Sequence, residues 1–177
     1  MALKVVNVSR PMSDTSMFKA AGIELSQTLV DSTTSKADYI DILRDADGAM
    51  IGTLPLTDRE VLESCPNLKI VSRSGVGVDS IDLPAATELG ILACNTPGIN
   101  TSEVADHAMA LLLSLTRLVR ETDGAVKAGK WSDDPASIAA FRPNLRRIAG
   151  STVGIIGLGN IGKAFASRIR GFGPERI

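Results

Sequence analysis

The sequence has few of the residues that several classes of protein require. Aromatic residues make up 3% of the 177 positions and the formal net charge is -1, so the chain offers neither stacking rings nor a basic field for nucleic acid. Its single histidine excludes a histidine-rich metal site, and its two cysteines, Cys65 and Cys94, form neither a Cys-x-x-Cys motif nor a disulfide framework. We therefore expect no metal site, no nucleic-acid partner and a reduced, cytoplasmic setting.

Long apolar runs are also missing. The apolar stretch at residues 105–115 is far shorter than the ~20 residues that cross a bilayer, and residues 3–8 lack the cleavage site of a signal peptide, so we expect no membrane partner. The hydrophobic content of 44% nevertheless suffices for a core. Acidic side chains outnumber basic ones in the first hundred residues and the reverse holds afterwards, which is consistent with a division near residue 100.

Apolar strands alternate with helical segments over the first hundred residues, and this order predicts a parallel sheet with helices on its faces. The predicted strands cover residues 4–8, 23–29, 48–52, 68–73 and 91–95, and the predicted helices cover residues 14–21, 35–44, 58–64 and 83–89. Thr57 and Glu60 have the spacing of a capping box. The predicted fold class is α/β, with residues 1–100 forming a flavodoxin-like domain.

The remaining residues, 101–177, are interpreted as an interdomain helix followed by the first βα unit of a Rossmann dinucleotide-binding domain. The helix is predicted over residues 101–124, where apolar side chains on most of its circumference indicate burial between two bodies. Trp131 is assigned to packing. A short buried strand is predicted around residues 152–156, a helix over residues 160–170 and the beginning of a second strand at residues 174–177.

The clearest functional signal is the loop Gly157-Leu-Gly-Asn-Ile-Gly162, which joins that strand to that helix. Gly157 suits a tight turn, Gly159 lets the backbone approach a phosphate, and Gly162 lets the helix pack closely on its strand. Backbone N–H groups of the first helical turn, at Asn160 and Ile161, would then meet a pyrophosphate. The pattern predicts dinucleotide binding, and the competing interpretation is a glycine-rich turn that binds nothing.

A second glycine-rich stretch, Ser72-Arg-Ser-Gly-Val-Gly-Val-Asp79, follows the fourth predicted strand. Ligands of open α/β sheets bind outside the carboxyl ends of the strands, where successive N–H groups can hold an anion. We predict that Val76 and Gly77 donate to a substrate carboxylate, although a plain tight turn explains the spacing equally well. Asp79 is predicted to cap the next helix, and Arg73 to form a structural ion pair with Asp79.

Four motifs in this order resemble the D-isomer-specific 2-hydroxyacid dehydrogenase family. They are Arg73-Ser-Gly-Val-Gly-Val-Asp79, Asn95-Thr-Pro-Gly98, Thr101-Ser-Glu-Val-Ala-Asp-His107 with Leu111-Leu-Leu113, and Gly157-Leu-Gly-Asn-Ile-Gly162. The resemblance implies an NAD-dependent oxidoreductase, with NADP not excluded, that interconverts a D-2-hydroxy acid and a 2-oxo acid by hydride transfer. It also implies two doubly wound domains and a homodimer in the full-length protein.

By motif position, the resemblance implies that Val76 and Gly77 hold the substrate carboxylate, that Val76 and Val104 contact the cofactor, and that Asn160 and Ile161 lie on the pyrophosphate. The family's catalytic arginine and histidine–glutamate pair lie downstream of the glycine-rich loop and have no counterpart in these 177 residues. We therefore expect an N-terminal part without catalytic residues, which is silent by itself because acid–base and electrostatic assistance each contribute orders of magnitude.

Two other interpretations stay open. One is a non-catalytic, NAD-responsive binding or co-regulator protein of the same architecture. The other is a stand-alone flavodoxin-like domain with a helical tail, whose exposed apolar helix would cause aggregation or dimerisation. The single histidine, His107, is assigned a structural role, because adjacent helical residues such as Asp106 and His107 point about 100° apart and form no dyad.

Overall fold

The computed structural model describes residues 2–130, 134, 136 and 139–177. The prediction that Trp131 is a packing residue falls outside the described residues. The chain divides into two compact units, Met1–Ile99 and Asn100–Ile177.

The first unit is a five-stranded parallel sheet with a helix in each connection. Its strands stand in the spatial order β2-β1-β3-β4-β5, which is the flavodoxin order, so the predicted α/β fold class is confirmed. Each strand and helix is slightly shorter than predicted, because the ends of such elements commonly fray. The strands are β1 (Lys4–Asn7), β2 (Glu24–Gln27), β3 (Gly48–Ile51), β4 (Ile70–Arg73) and β5 (Leu92–Cys94), and the helices are α1 (Ser16–Ala20), α2 (Lys36–Leu43), α3 (Arg59–Glu63) and α4 (Leu83–Glu88).

The core of this unit lies between one face of the sheet and three helices. Val6, Ala49 and Val71 occupy neighbouring register positions on β1, β3 and β4, and all three are buried. Buried side chains from α2, α3 and α4 belong to the same cluster: Tyr39, Ile40, Leu43, Val61, Leu62, Ala85 and Ala86. Because apolar burial fixes which side chains of a strand face the helices, the register of the central strands is strongly specified.

The capping prediction for α3 is wrong by one residue. Asp58 is the N-cap, and its carboxylate accepts a hydrogen bond from the Val61 N–H at 3.2 Å. Thr57 is instead fully buried, with its hydroxyl 2.9 Å from the Tyr39 hydroxyl. Thr57 is held before the helix because its N–H donates to the Ser80 carbonyl at 2.8 Å. Burial raises the pKa of Tyr39 to about 12.

The helices of the second unit differ from the single long helix predicted over residues 101–124. The chain forms α5 (Thr101–Arg117) and α6 (Val119–Lys127), separated by Leu118 in the left-handed conformation at φ 52° and ψ 43°. Neither glycine nor proline marks this break, so the sequence pattern gives no signal for it. A 3-10 turn (Arg142–Asn144) and the helix α7 (Asn160–Arg170) follow, and α7 has the predicted bounds.

The second unit covers only part of the apolar circumference of α5. Met109 is buried and packs with Ile148 of the following segment and Ile169 of α7. Leu111 and Leu115, in contrast, are 58% and 74% exposed. One face of α5 therefore carries the packing of this unit, because α7 covers that face alone.

The buried strand predicted around residues 152–156 is reduced to a parallel bridge. Thr152 pairs with Arg176, and the Val153 N–H donates to the Arg176 carbonyl at 2.9 Å. Ile156 is fully exposed. A strand of a parallel sheet is buried only when it has neighbouring strands and covering helices, and in the described chain this segment pairs only with residues near Arg176.

Polar contacts join α5 to α7 in addition to the apolar packing. The Arg168 guanidinium of α7 donates through Nε to the Asp106 carboxylate and through Nη2 to the Ser102 hydroxyl at 2.6 Å. Both acceptors lie on the N-terminal half of α5. No helix in the described ranges has the length and apolar character needed to cross a membrane.

Candidate functional site

The loop after β4 has a backbone that requires glycine. Gly75 has φ 155°, a backbone conformation that residues other than glycine rarely adopt. A Cβ on Gly75 would also lie 1.7 Å from Nη1 of Arg73, whose guanidinium covers this glycine. The following residues Val76 and Gly77 are exposed, so the predicted carboxylate-binding residues are accessible at the carboxyl end of the sheet.

Two successive carbonyl groups of this loop are bonded to the segment after β5. The Gly75 carbonyl accepts the Thr96 N–H at 2.9 Å, and the Val76 carbonyl accepts Nδ2 of Asn95 at 2.7 Å. Within the part of the chain that the structure describes, the N–H groups of Val76 and Gly77 donate to no acceptor. Adjacent free N–H groups of this kind make an anion-binding concavity.

Two predictions about the charged residues beside this loop are wrong. The cap of α4 is Asp82, whose carboxylate accepts the Ala85 N–H at 2.9 Å, because α4 begins at Leu83, four residues after Asp79. Arg73 does not pair with Asp79 among the ion pairs of the described residues; its Nη2 donates to the Thr53 hydroxyl at 3.0 Å. The Arg73 Nε is buried without an acceptor there, which leaves an unpaired cation beside the loop.

Asp79 lies close to the same loop. One of its carboxylate oxygens is 3.0 Å from the position that a Cβ on Gly77 would occupy. A carboxylate at this distance opposes the approach of another anion, because like charges repel. The loop therefore combines two free donors and a guanidinium with one unfavourable charge.

The sequence reasoning missed the part played by Asn95 in this loop. In the sequence, Asn95 is only the first residue of the Asn95-Thr-Pro-Gly98 motif that contributes to the family resemblance. The strand order places this polar side chain, directly after β5, at the same edge of the parallel sheet as the loop after the neighbouring β4. That edge is where ligands of open α/β sheets bind.

The glycine-rich loop of the second unit has the local geometry of a phosphate cradle. Gly157 takes the left-handed turn at φ 93°, and Gly159 is the N-cap of α7. A Cβ on Gly159 would meet nothing within 4 Å, whereas a Cβ on Gly162 would lie 2.1 Å from the Gly157 carbonyl oxygen. The space above Gly159 is thus open, and the approach of α7 to the loop excludes any side chain at Gly162.

The first turn of α7 presents unbonded donors. No side chain caps this helix, and its first internal hydrogen bond runs from the Lys163 N–H to the Gly159 carbonyl at 3.0 Å. The N–H groups of Asn160, Ile161 and Gly162 therefore have no partner among the described residues. An open helix N-terminus of this kind favours an anion, through its free N–H groups and its dipole.

The other predicted site residues lie on α5. Val104 belongs to the first turns of the helix and is 36% exposed. His107 is exposed, which gives no support to a role in packing, and Asp106 binds Arg168 rather than His107. Over the described ranges, no group of three or more histidine, cysteine, aspartate and glutamate side chains could hold a metal ion.

Comparisons with known proteins agree on one family. The model described as "D-isomer specific 2-hydroxyacid dehydrogenase, catalytic domain" matches residues 5–168. A D-3-phosphoglycerate dehydrogenase of Mycobacterium leprae is 35% identical over 177 residues, which is 100% of this chain and 32% of the relative. A glyoxylate reductase of Thermococcus litoralis is 38% identical over 138 residues, which is 78% of this chain and 42% of the relative.

A solved structure gives the same result for the fold. The NAD-dependent formate dehydrogenase of Staphylococcus aureus in complex with NAD superposes with a TM-score of 0.79 at 26% identity, covering 98% of this chain and 54% of that one. The chain thus spans between about a third and about half of the length of these proteins.

Proposed function

This chain belongs to the D-isomer specific 2-hydroxyacid dehydrogenase family, and we propose that it supplies the two binding loops of an NAD-dependent enzyme that interconverts a D-2-hydroxy acid and a 2-oxo acid. Residues 1–100 would carry the substrate loop, and residues 101–177 would begin the cofactor domain. The observation that supports this most directly is that both glycine-rich loops present adjacent N–H groups without acceptors among the described residues.

The residues of the second unit fit a dinucleotide. The N–H groups of Asn160, Ile161 and Gly162 would hold the pyrophosphate, with Gly157 forming the turn and Gly159 leaving the space that a Cβ would fill. The nicotinamide of such a cofactor supplies the hydride that the reaction exchanges. NAD is proposed in preference to NADP because the formate dehydrogenase with this fold is NAD-dependent. Val104 and Val76 are proposed as further apolar contacts to the cofactor.

The residues of the first unit fit a small carboxylate. The N–H groups of Val76 and Gly77 would donate to its two oxygens, and the Arg73 guanidinium over Gly75 would add a positive charge beside them. A 2-oxo acid is proposed because a glyoxylate reductase and a D-3-phosphoglycerate dehydrogenase are among the relatives that match this chain. Any substrate also needs a group that moves a proton to or from its oxygen.

We propose that the 177-residue chain binds the cofactor and the substrate but does not catalyse the reaction. Its only histidine, His107, is exposed, and the adjacent Asp106 carboxylate is bonded to Arg168. Among the described residues His107 therefore forms no histidine–carboxylate pair for proton transfer, and general acid–base catalysis of this kind is worth about 10²–10⁴-fold in rate.

Binding is tested by titrating the purified chain with NADH, ADP-ribose and adenosine, and separately with oxamate as a compact 2-oxo acid analogue. We expect NADH and ADP-ribose to bind and adenosine to bind at least tenfold more weakly, because adenosine lacks the diphosphate. We also expect oxamate to bind and acetamide, which has no carboxylate, not to bind. Equal affinity for adenosine and ADP-ribose would contradict the cofactor proposal.

Turnover is tested by following NADH absorbance with glyoxylate or hydroxypyruvate. The expected result for this chain is no rate above that of a sample without protein. Measurable reduction would overturn the proposal that it lacks catalytic groups. A longer form of the protein that binds NADH and still reduces no 2-oxo acid would favour a binding or co-regulator protein instead of an enzyme.

A further inference from the structure

Two successive carbonyl groups of the loop after β4 accept hydrogen bonds from one segment, the residues directly after β5. The Val76 carbonyl accepts the side-chain amide of Asn95 at 2.7 Å, and the Gly75 carbonyl accepts the backbone N–H of Thr96 at 2.9 Å. Both hydrogen bonds lie within the first unit. The two bonds thus anchor successive peptide groups to neighbouring residues of one segment.

Peptide planarity converts this anchoring into an orientation of the donors. A trans peptide group is planar, and its C=O and N–H point in opposite directions. The Val76 carbonyl shares its peptide group with the Gly77 N–H, and the Gly75 carbonyl shares its peptide group with the Val76 N–H. Because each carbonyl is held by a residue of the segment after β5, the N–H groups of Val76 and Gly77 each point away from the donor that holds their own peptide group.

Of the two anchors, only the one from Asn95 depends on a side chain. The Thr96 donor is a backbone N–H, which any residue but proline would supply, whereas the Asn95 donor is its Nδ2 amide. In a glycine-flanked loop, peptide groups rotate at low cost, since glycine adopts both signs of φ. The peptide group between Val76 and Gly77 is therefore the one whose anchor depends on the identity of residue 95.

We propose that Asn95 is a positioning residue for the substrate carboxylate: by donating to the Val76 carbonyl, it fixes the Gly77 N–H in the orientation that binds the acid. Asn95 does not itself touch the acid. The inference rests on the proposed function of the Val76 and Gly77 N–H groups, but it makes a separate claim, namely that a side chain from another strand end controls them.

The test compares three substitutions in the 177-residue chain. Asn95→Ala removes the donor, and Asn95→Asp keeps the shape while replacing the donor by a carboxylate that repels the Val76 carbonyl. Asn67→Ala is the matched control, because Asn67 is, like Asn95, an exposed asparagine of the first unit, and it lies outside the loop after β4. The dissociation constant for oxamate and the ¹⁵N order parameters of Val76 and Gly77 are measured at a temperature at which every variant is folded.

For Asn95→Ala we expect the oxamate dissociation constant to rise at least fivefold and the order parameter of Gly77 to fall below that of the wild type. Asn95→Asp should bind at least tenfold more weakly at neutral pH and regain affinity as the pH falls towards 4, where its protonated carboxyl again donates. Asn67→Ala should match the wild type. A purely structural role for Asn95 would lower Tm without this pH-dependent recovery.

The two proposals fail in distinguishable ways. If oxamate does not bind the wild-type chain, the substrate loop assignment of the proposed function falls. If oxamate binds, and Asn95→Ala retains the wild-type affinity within twofold, the positioning role is overturned while the substrate loop stands. Unchanged order parameters at Val76 and Gly77 in both Asn95 variants would overturn the positioning role even without a ligand.

Discussion

The substitution Gly159→Ala is expected to separate cofactor binding from folding. Gly159 is the N-cap of α7 with φ -74° and ψ -158°, a backbone conformation open to alanine, and an added Cβ would meet nothing within 4 Å. The loss of a good N-cap residue is offset in part by the lower entropy of the unfolded chain. We therefore expect the free energy of unfolding to change by less than about 1 kcal/mol, or a Tm shift below about 4 °C.

The same methyl group occupies the space through which a diphosphate would approach the N–H groups of α7. We expect the NADH dissociation constant of Gly159→Ala to rise at least tenfold, which corresponds to about 1.4 kcal/mol. Calorimetric or fluorescence titration with NADH measures the affinity, and thermal unfolding of the same samples measures the stability.

Two further glycine substitutions complete the comparison. Gly162→Ala would place a Cβ 2.1 Å from the Gly157 carbonyl oxygen. Because this oxygen belongs to the backbone, it cannot rotate away as a side chain could. We therefore expect the free energy of unfolding to fall by about 1–3 kcal/mol and NADH binding to weaken. Gly154→Ala meets nothing within 4 Å and lies before the loop, so it should change neither. The reasoning is refuted if Gly159→Ala binds NADH within twofold of the wild type, or if Gly162→Ala keeps the wild-type Tm.

Three other predictions concern the first unit. The folded pKa of Tyr39 is raised from 10 to about 12. The stability that the neutral Tyr39 hydroxyl contributes should therefore be complete below pH 10 and fall as the pH rises from 10 to 12. Urea unfolding should show this loss in the wild type and not in Tyr39→Phe. Asp58→Ala should cost about 1 kcal/mol in the same assay, because α3 loses its N-cap, while a change below about 0.3 kcal/mol would argue against the cap. Asp79→Asn should strengthen oxamate binding about two- to fivefold by removing a like charge near Gly77, and weaker binding would show that this carboxylate supports the loop.

The parallel sheet of the first unit was predictable because short apolar strands alternate with helical segments along the sequence. Three of its four helices begin at an aspartate or serine cap, although the sequence placed the caps of α3 and α4 on the wrong residues, and glycine follows α4 at Gly90 with φ 69°. The bounds of α7 were equally predictable, since Gly159 and Gly171 flank the helix. In these places the local preference and the tertiary packing favour the same structure.

Other features depended on tertiary contacts that a one-dimensional pattern does not contain. The break at Leu118 lacks any glycine or proline, and the exposure of Leu111 and Leu115 follows from which face of α5 meets α7. The buried state of a strand near Thr152 depends on neighbouring strands, not on its own apolar residues. The predictions of an unbroken helix and of a buried strand failed because periodicity reports which side chains prefer burial, and not what covers them.

The candidate site was predictable in its donors and not in its supports. Glycine spacing identified Val76 and Gly77 as a possible anion site, but the bond from Asn95 to the Val76 carbonyl joins residues 19 positions apart. The predicted Arg73–Asp79 pair rested on closeness in sequence, whereas the Arg73 guanidinium donates to Thr53 across neighbouring strands. Contacts between the ends of adjacent strands became visible only with the sheet order.

The most direct test of the account is a residue-by-residue map of the two ligands by ¹H–¹⁵N NMR on the wild-type chain, with NADH and oxamate added in turn. The account predicts that NADH shifts the amide signals of Gly159 to Gly162 and that oxamate shifts those of Val76 and Gly77. The account is contradicted if neither set of amide signals moves, whether the ligands perturb other residues or none.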